Sequence, residues 1–134
     1  KVKQDTLLFF NTHFDHISDS ARVMSSGVLL GMVRKLAGDN EFVITGDFNA
    51  LPESLAISRM KEGDFAVDSY LISETPPAGQ SYTFNGWKDE PGEGRIDYIF
   101  IRNGMKTLSH ETHRVIEDGV FISDHWPVTA RIRQ

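Results

Sequence analysis

The chain opens on a run of apolar residues that predicts a buried β-strand over Thr6–Phe14. Successive side chains of a strand point to opposite faces, and here both faces are apolar over the first half. Strands with that pattern are covered on both sides, so we expect this one to be central in its sheet. Three polar residues follow at positions 11–13, of which Asn11 and His13 share one face.

The next segment changes from strand to helical periodicity. Residues 19–37 predict a helix, because apolar residues recur in it at intervals of three and four and Gly38 stands where a helix ends. A short apolar strand, Phe42–Thr45, follows. Strand, helix and strand in this order predict a βαβ-type unit or its mixed-sheet relative. The apolar residues of the predicted helix that recur at this spacing are Val28, Leu29, Met32, Val33 and Leu36.

The middle of the chain is less regular. Pro52 opens a predicted second helix that runs from Glu53 to about Met60, and Phe65–Leu71 is weakly strand-like. Residues 72–91 are rich in Pro, Gly, Ser and Asp, which predicts a long loop. Loops of more than about 15 residues in compact domains are more often functional than idle. Further strands are predicted at Ile96–Ile101, Lys106–Ile116 and Val128–Ile132.

Composition limits the class of protein. The 134 residues suit one domain, and the net charge of −5, from 14 basic and 19 acidic residues, gives no general attraction to nucleic acid. The chain has no cysteine, which excludes disulfides and thiolate chemistry. No apolar run approaches the roughly 18 residues that cross a bilayer. We therefore expect a single globular domain with no membrane span.

Two polar residues follow the short strand at its end. Asp47 and Asn49 come after Gly46, and a spacing of two places both side chains on one side if the backbone stays extended. A carboxylate and an amide together can bind water or a cation, or donate to a phosphate oxygen. The alternative is that one of them only caps the helix that begins near Pro52. Taken alone, the two interpretations have about equal weight.

Asp97 shares a strand face with Ile99 and Ile101, so its carboxylate needs a cationic or hydrogen-bonding partner. Arg95 could supply a purely structural ion pair. A histidine from another strand would instead indicate a catalytic site. The residues nearby leave both possibilities open.

Asp124 and His125 stand next to each other before the last strand. Adjacent side chains point apart in extended backbone, so one could bind a metal while the other faces a substrate. The alternative is a solvated turn. His13 alone is more often a satisfied core histidine than a catalytic one.

Four blocks, taken in order, resemble one family. The sequence is similar to the endonuclease/exonuclease/phosphatase superfamily, of the pancreatic-type deoxyribonuclease kind. The resemblance implies an α/β fold, the carboxy-terminal half of a four-layer α/β/β/α sandwich in which a mixed β-sheet is flanked by helices. We expect residues 1–134 to form one partial domain of this kind. The blocks are Asn11-Thr12-His13-Phe14, Gly46-Asp47-Phe48-Asn49, Arg95-Ile96-Asp97-Tyr98-Ile99-Phe100 and Ser123-Asp124-His125-Trp126-Pro127-Val128.

The resemblance also implies roles. Asp47 would orient or deprotonate the attacking water and could also bind metal, Asn49 would hold a phosphate oxygen, and His13 would contact the phosphate or assist proton transfer. Asp124 would be a ligand of Mg²⁺ or Mn²⁺, since both prefer oxygen ligands.

His125 would face the phosphate while Asp97 fixes its tautomer. The expected substrate contacts are Asn11, Tyr82, Phe84 and Trp87, of which the three aromatic residues could instead pack the long loop onto the sheet.

The implied activity is divalent-metal-dependent phosphoester hydrolysis by a phosphodiesterase, nuclease or phosphatase. Its phosphoester substrate would be a small molecule, a lipid or a nucleic acid. Family members are usually about twice as long, so we expect a missing amino-terminal half that supplies the other metal ligands. Without that half, an apolar sheet face would be exposed, which predicts self-association. The alternative function is that of an inactive half-domain acting as a binding or assembly module.

Overall fold

The computed structural model of the protein describes residues 6–133. Within these residues, no helix is long and apolar enough to cross a membrane. A short 3₁₀ turn covers Glu62–Asp64. The other elements are β1 (Leu7–His13), α1 (Asp19–Ala37), β2 (Glu41–Asp47), α2 (Leu55–Met60), β3 (Ala66–Asp68), β4 (Ala78–Gly79), β5 (Asp97–Arg102), β6 (Lys106–Thr112), β7 (Ile116–Glu117), β8 (Val120–Phe121) and β9 (Val128–Arg133).

The main sheet has the strand order β1-β2-β5-β3. β1 and β2 are parallel and joined by α1, which confirms the predicted βαβ unit, while β5 runs antiparallel to both of its neighbours. The prediction that β1 is central is wrong for the described strands, since it lies at the edge and pairs only with β2. Leu7 and Phe9 are consequently 37% and 71% exposed, so the expected exposed apolar face is present at this edge.

Two apolar clusters hold three layers together. On one face of the main sheet, α1 and α2 pack on Phe42, Ile44 and Phe100, all of which are fully buried. On the other face lies the second sheet, of order β4-β6-β9. There β9 contributes the predicted face of Val128, Ala130 and Ile132, packed against a cluster that contains Val43, Ile99, Ile101 and Met105. The predicted α/β fold with a mixed sheet flanked by helices is confirmed.

Helix α1 has the predicted bounds. The side chain of Ser18 caps its first turn by accepting from the Ala21 N–H at 3.2 Å, and Gly38 ends it with a φ of 54°. The apolar residues divide into two stripes. Leu29 and Val33 are buried with Leu30 and Ala37, whereas Val28, Met32 and Leu36 are 72%, 45% and 56% exposed.

The remaining elements are shorter or slightly displaced relative to the sequence pattern. α2 begins at Leu55 rather than Glu53, because Ser54 is its cap and accepts from the Ile57 N–H at 3.3 Å. The weak strand at Phe65–Leu71 is reduced to the three residues of β3. Residues 72–91 are a loop as predicted, with the two-residue β4 inside it. The long sixth strand ends at Thr112 and is irregular between Thr107 and Ser109.

Candidate active site

The ends of β1 and β2 meet where the polar residues of both strands lie. Asp47 is the last residue of β2, and its carbonyl accepts from the Phe14 N–H at 2.9 Å. Gly46 allows the close approach of the strands, because it has a φ of 153° and a Cβ there would lie 2.0 Å from the Thr12 carbonyl oxygen. Only glycine fits between these backbones without a shift, so it sets where Asp47 points.

Asp47 and Asn49 form a tight local turn. The backbone N–H of Asn49 donates to Asp47 Oδ1 at 2.7 Å, and its Nδ2 donates to Asp47 Oδ2 at 3.2 Å and to the Phe14 carbonyl at 2.9 Å. Asn49 adopts a φ of 47°, a left-handed conformation that asparagine tolerates. The alternative that these residues cap α2 is wrong, because Ser54 does so. In this structure the Asn49 amide orients the Asp47 carboxylate.

Asp97 finds its partner in the distant histidine. His125 Nδ1 lies 2.7 Å from Asp97 Oδ2, with the two side chains 24% and 21% exposed. Arg95 does not pair with Asp97. Its guanidinium binds Asp68 instead, with Nη2 2.9 Å from Oδ2, in a pair that is almost fully buried. Of the two open possibilities for Asp97, the structure therefore shows the histidine partner.

These contacts converge on one group. Asp47, Asp97 and His125 each place a ligand atom within 4.8 Å of the others. His125 Nε2 lies 3.8 Å from Asp47 Oδ2, and His13 Nε2 lies 3.4 Å from the same oxygen. The His13 side chain is 72% exposed, so it is not a core histidine. We call Asp47, Asp97, His125 and His13 the carboxylate–imidazole cluster. Its members His13, Asp47 and Asp97 line an open depression of about 420 Å³, which Asn11 also borders.

The environment shifts the acid–base properties of two members. Burial raises the pKa of the Asp47 carboxyl, and the negative charge of Asp97 adds to that effect. The hydrogen bond to Asp97 raises the pKa of the His125 imidazole. A carboxylate with a raised pKa is a better base, and an imidazole with a raised pKa keeps its charge to higher pH. The pair has the properties of a proton acceptor beside a cationic donor.

The donor set suits a hard divalent cation. Two carboxylates and one imidazole are ligand types that Mn²⁺ accepts, while Mg²⁺ usually binds through one or two carboxylates and several waters. Asp124 lies outside this group. Its carbonyl accepts from the Asn85 and Gly86 N–H groups, and its carboxylate is 3.4 Å from Ser123 Oγ. The metal role of Asp124 stays a prediction.

The long loop over residues 72–91 carries aromatic residues, one of which lies directly against the carboxylate–imidazole cluster. Phe84 contacts the His125 ring edge to face, with ring centroids 5.1 Å apart, and the two residues form a backbone bridge. Tyr82 is buried and packs the loop, as the structural alternative expected, whereas Phe84 and Trp87 are 46% and 59% exposed. Asn11 Nδ2 donates to Thr45 Oγ1 at 2.9 Å. That Asn11, Tyr82, Phe84 and Trp87 contact a substrate stays a prediction.

A larger cavity of about 800 Å³ opens beside the cluster. Its lining includes Asn49, which binds the Asp47 carboxylate, and Phe84, which contacts the His125 ring. Its charged lining consists of four carboxylates and two cations, namely Asp19, Glu53, Glu90, Glu93, Arg22 and Lys88. Volumes of 300–1,000 Å³ are typical of small-molecule sites.

Sequence reasoning missed one residue of this region. Thr83 is fully buried and accepts from the backbone N–H of Asp97 at 3.1 Å. A buried threonine between two aromatic residues gave no signal in the sequence, because its partner lies 14 residues further along the chain.

Comparison with known proteins agrees with the four sequence blocks. The family model described as "Endonuclease/Exonuclease/phosphatase family" matches residues 4–125. No curated protein matches the chain significantly.

Solved structures match over nearly the whole chain. An endonuclease/exonuclease/phosphatase from Bacteroides vulgatus has a TM-score of 0.83 and 29% identity over 93% of this chain and 49% of its own. A mannosyl-6-phosphatase from Bacteroides thetaiotaomicron has a TM-score of 0.79 and 27% identity, over 92% and 50%. A protein of unknown function from Enterococcus faecalis has a TM-score of 0.83 and 27% identity, over 98% and 52%. The chain thus spans about half the length of these structures.

Proposed function

Because the chain belongs to the endonuclease/exonuclease/phosphatase family, we propose that it is the catalytic part of a hydrolase that cleaves phosphoester bonds by attack of an activated water. The carboxylate–imidazole cluster is the observation that carries this proposal. It joins a carboxylate of raised pKa to an imidazole that a second carboxylate holds, at the point where two strands end.

The proposed roles follow from the contacts. Asp47 accepts a proton from the attacking water, because it lines the open depression and Asn49 fixes the orientation of its carboxylate. Asp97 holds the proton on Nδ1 of His125, so that the imidazolium Nε2 donates to the phosphate as negative charge builds up in the transition state. His13, on the exposed side of Asp47, is placed to contact another phosphate oxygen.

A bound Mg²⁺ or Mn²⁺ would neutralise charge on the phosphate and polarise the phosphorus–oxygen bond. We propose that Asp47 and Asp124 would be among its ligands, since Asp47 belongs to the group whose ligand atoms lie within 4.8 Å of one another. That Asn49 holds a phosphate oxygen stays a prediction, since its amide nitrogen already donates to Asp47 and Phe14.

For the substrate we favour a small phosphoester over a nucleic acid. The 800 Å³ cavity has more carboxylates than cations and would repel a polyanion, whereas hydroxyl groups can donate to its carboxylates. Arg22 already pairs with Asp19 and donates to the Asp15 carbonyl, whereas Lys88, the other lining cation, forms no ion pair with any residue from 6 to 133. The similarity to a mannosyl-6-phosphatase makes sugar phosphates the first class to test.

The whole protein is proposed to complete this site with a further half. Leu7 and Phe9 are exposed on the sheet, and Met24, Val28 and Met32 are exposed on α1, which is the kind of surface that a packed layer covers. This surface also favours the second candidate function, a half-domain that acts by binding a partner or a second copy.

The test uses the full-length protein and the 134-residue chain with Mg²⁺ or Mn²⁺. Substrates are a hexose 6-phosphate, an aryl phosphodiester and single- and double-stranded DNA. Asp47→Asn should reduce turnover about 10²- to 10⁴-fold, the usual contribution of a general base. Asp39→Asn, at an exposed acidic residue away from the cluster, is the matched control and should change nothing.

Absence of turnover by the full-length protein on every substrate, or equal turnover by Asp47→Asn and the control, would overturn the hydrolase proposal. Gel filtration and circular dichroism of the 134-residue chain separate the second candidate. A folded, monomeric chain that turns over substrate contradicts a purely binding role.

A further inference from the structure

Thr83 lies between the two backbone segments that carry Asp97 and His125. Its side chain is fully buried, and its hydroxyl oxygen accepts from the backbone N–H of Ile96 at 2.9 Å and of Asp97 at 3.1 Å. A hydroxyl has two acceptor lone pairs, so both are used on adjacent residues at the start of β5. The hydroxyl therefore fixes the backbone from which the Asp97 side chain extends.

The backbone of Thr83 reaches the other partner. The Trp126 N–H donates to the Thr83 carbonyl at 2.7 Å, directly after His125, and the Thr83 N–H donates to the Gly94 carbonyl at 3.2 Å. The next residue, Phe84, forms the backbone bridge to His125. One residue thus bonds to both backbone segments that carry the pair.

We propose that Thr83 is a positioning residue that sets the distance between Asp97 and His125. The carboxylate and the imidazole come from segments that are distant in sequence, and Thr83 is hydrogen-bonded to both segments. A charge-assisted hydrogen bond of 2.7 Å weakens within a few tenths of an ångström, so small displacements of either backbone change it. The consequence for turnover rests on the proposed hydrolase function, whereas the geometry does not.

A second buried threonine provides a matched control. Thr107 is also fully buried, and among the described residues its hydroxyl oxygen has no hydrogen-bond partner. Thr83→Val and Thr107→Val both exchange a buried hydroxyl for a methyl group of similar shape. Only the first leaves two backbone N–H groups unpaired, at Ile96 and Asp97. Thr83→Ser restores the hydroxyl and should behave as the original protein.

The readout is the ¹H NMR signal of the His125 Nδ1 proton, which we expect downfield because of the hydrogen bond to Asp97. Spectra are recorded at one pH in EDTA, so that bound metal does not contribute. We expect the signal to be lost or moved upfield in Thr83→Val and retained in Thr83→Ser and Thr107→Val. In the full-length protein, Thr83→Val should lower kcat about 10- to 100-fold with little change in KM, as expected for misplacement of catalytic groups.

A retained downfield signal in Thr83→Val, or equal losses in Thr83→Val and Thr107→Val, overturns the proposal. If Thr83→Val does not fold, amide hydrogen exchange of the original protein tests whether Thr83 binds the two N–H groups. The N–H groups of Ile96 and Asp97 should exchange as slowly as those of central β2, and rapid exchange would refute the tie. If the original protein has no turnover at all, the hydrolase proposal fails while the NMR comparison still judges the positioning role.

Discussion

Replacing Asp68 by Asn should lower the melting temperature of the protein strongly, whereas replacing Asp97 by Asn should change it little and reduce the proposed turnover. Asp68 pairs with Arg95 in the interior, where the two side chains are 1% and 5% exposed. The guanidinium of Arg95 also stacks 3.9 Å from the ring centroid of Tyr70. Asp68→Asn keeps the size of the side chain but leaves a buried cation without its counter-charge.

The size of the effect follows from this burial. Removing one partner of a buried ion pair costs about 3–5 kcal/mol, because the remaining charge loses its compensation and cannot reach water. For a domain of this length, each kcal/mol lowers the midpoint by roughly 3–5 °C. We therefore expect a drop of about 10–20 °C for Asp68→Asn. Replacing both members, as Asp68→Leu with Arg95→Met, should recover much of the loss.

Differential scanning calorimetry at pH 7 measures the melting temperatures of all four variants. Asp89 forms an exposed pair with Arg114, with side chains 51% and 45% exposed, so Asp89→Asn is the matched control and should not shift the midpoint. Asp97→Asn should melt near the original temperature and lose about 10²-fold or more in turnover. Equal midpoints for Asp68→Asn and Asp89→Asn, or a larger drop for Asp97→Asn, would refute the assignment of Arg95 to Asp68.

Three further predictions concern the cluster and its supports. Gly46→Ala should prevent soluble folding or lower the melting temperature sharply, because the added methyl group would lie 2.0 Å from the Thr12 carbonyl oxygen. The control is Gly31→Ala on the open face of α1, which should leave the melting temperature unchanged or raise it, as measured by circular dichroism. The hydrogen bond to Asp97 raises the pKa of His125 above 6.5, the ordinary value for histidine. The contribution of this bond to the stability of the folded protein is therefore fully present below pH 6.5 and is lost as the pH rises through the folded-state pKa. Urea unfolding of the original protein and His125→Gln should therefore converge with rising pH, and a constant difference would contradict this. Asn49→Asp places a third carboxylate against Asp47 and should cost about 1–3 kcal/mol in urea unfolding as well as lower turnover, whereas unchanged unfolding would refute the orienting role.

The sequence pattern predicts most of the fold because its signals are local. Helix α1 was predicted with its observed bounds, since its apolar periodicity and Gly38 are local signals. What the pattern does not indicate is which apolar surface is covered. Leu29 and Met32 both follow helical spacing, yet only the first faces the sheet. The edge position of β1 likewise depends on which strands pair, and apolar residues on both faces do not determine pairing.

The four residues of the carboxylate–imidazole cluster were all candidates from the sequence, but most of the contacts around them were not. From the residues alone the partner of Asp97 stayed open, since a cation lies two positions away and a histidine 28 positions away. The family resemblance implied the histidine, and the structure shows that contact. Local sequence also contains nothing that assigns Asp68 to Arg95, because β3 is three residues long and barely periodic. Thr83 was missed for the same reason, since its bonds are made to backbone groups that carry no sequence identity.

The order of the cluster along the chain has a consequence for folding kinetics. His13 ends the first strand and His125 precedes the last, so the cluster depends on contacts of high sequence separation and on a parallel strand pair that requires α1 as a crossover. Such contacts form late, after the entropy of closing long loops has been overcome. During refolding, α1 and its circular-dichroism signal should therefore recover before the cluster does. A signal that reports the assembled cluster should therefore appear only when folding is complete, and not in a partly folded intermediate.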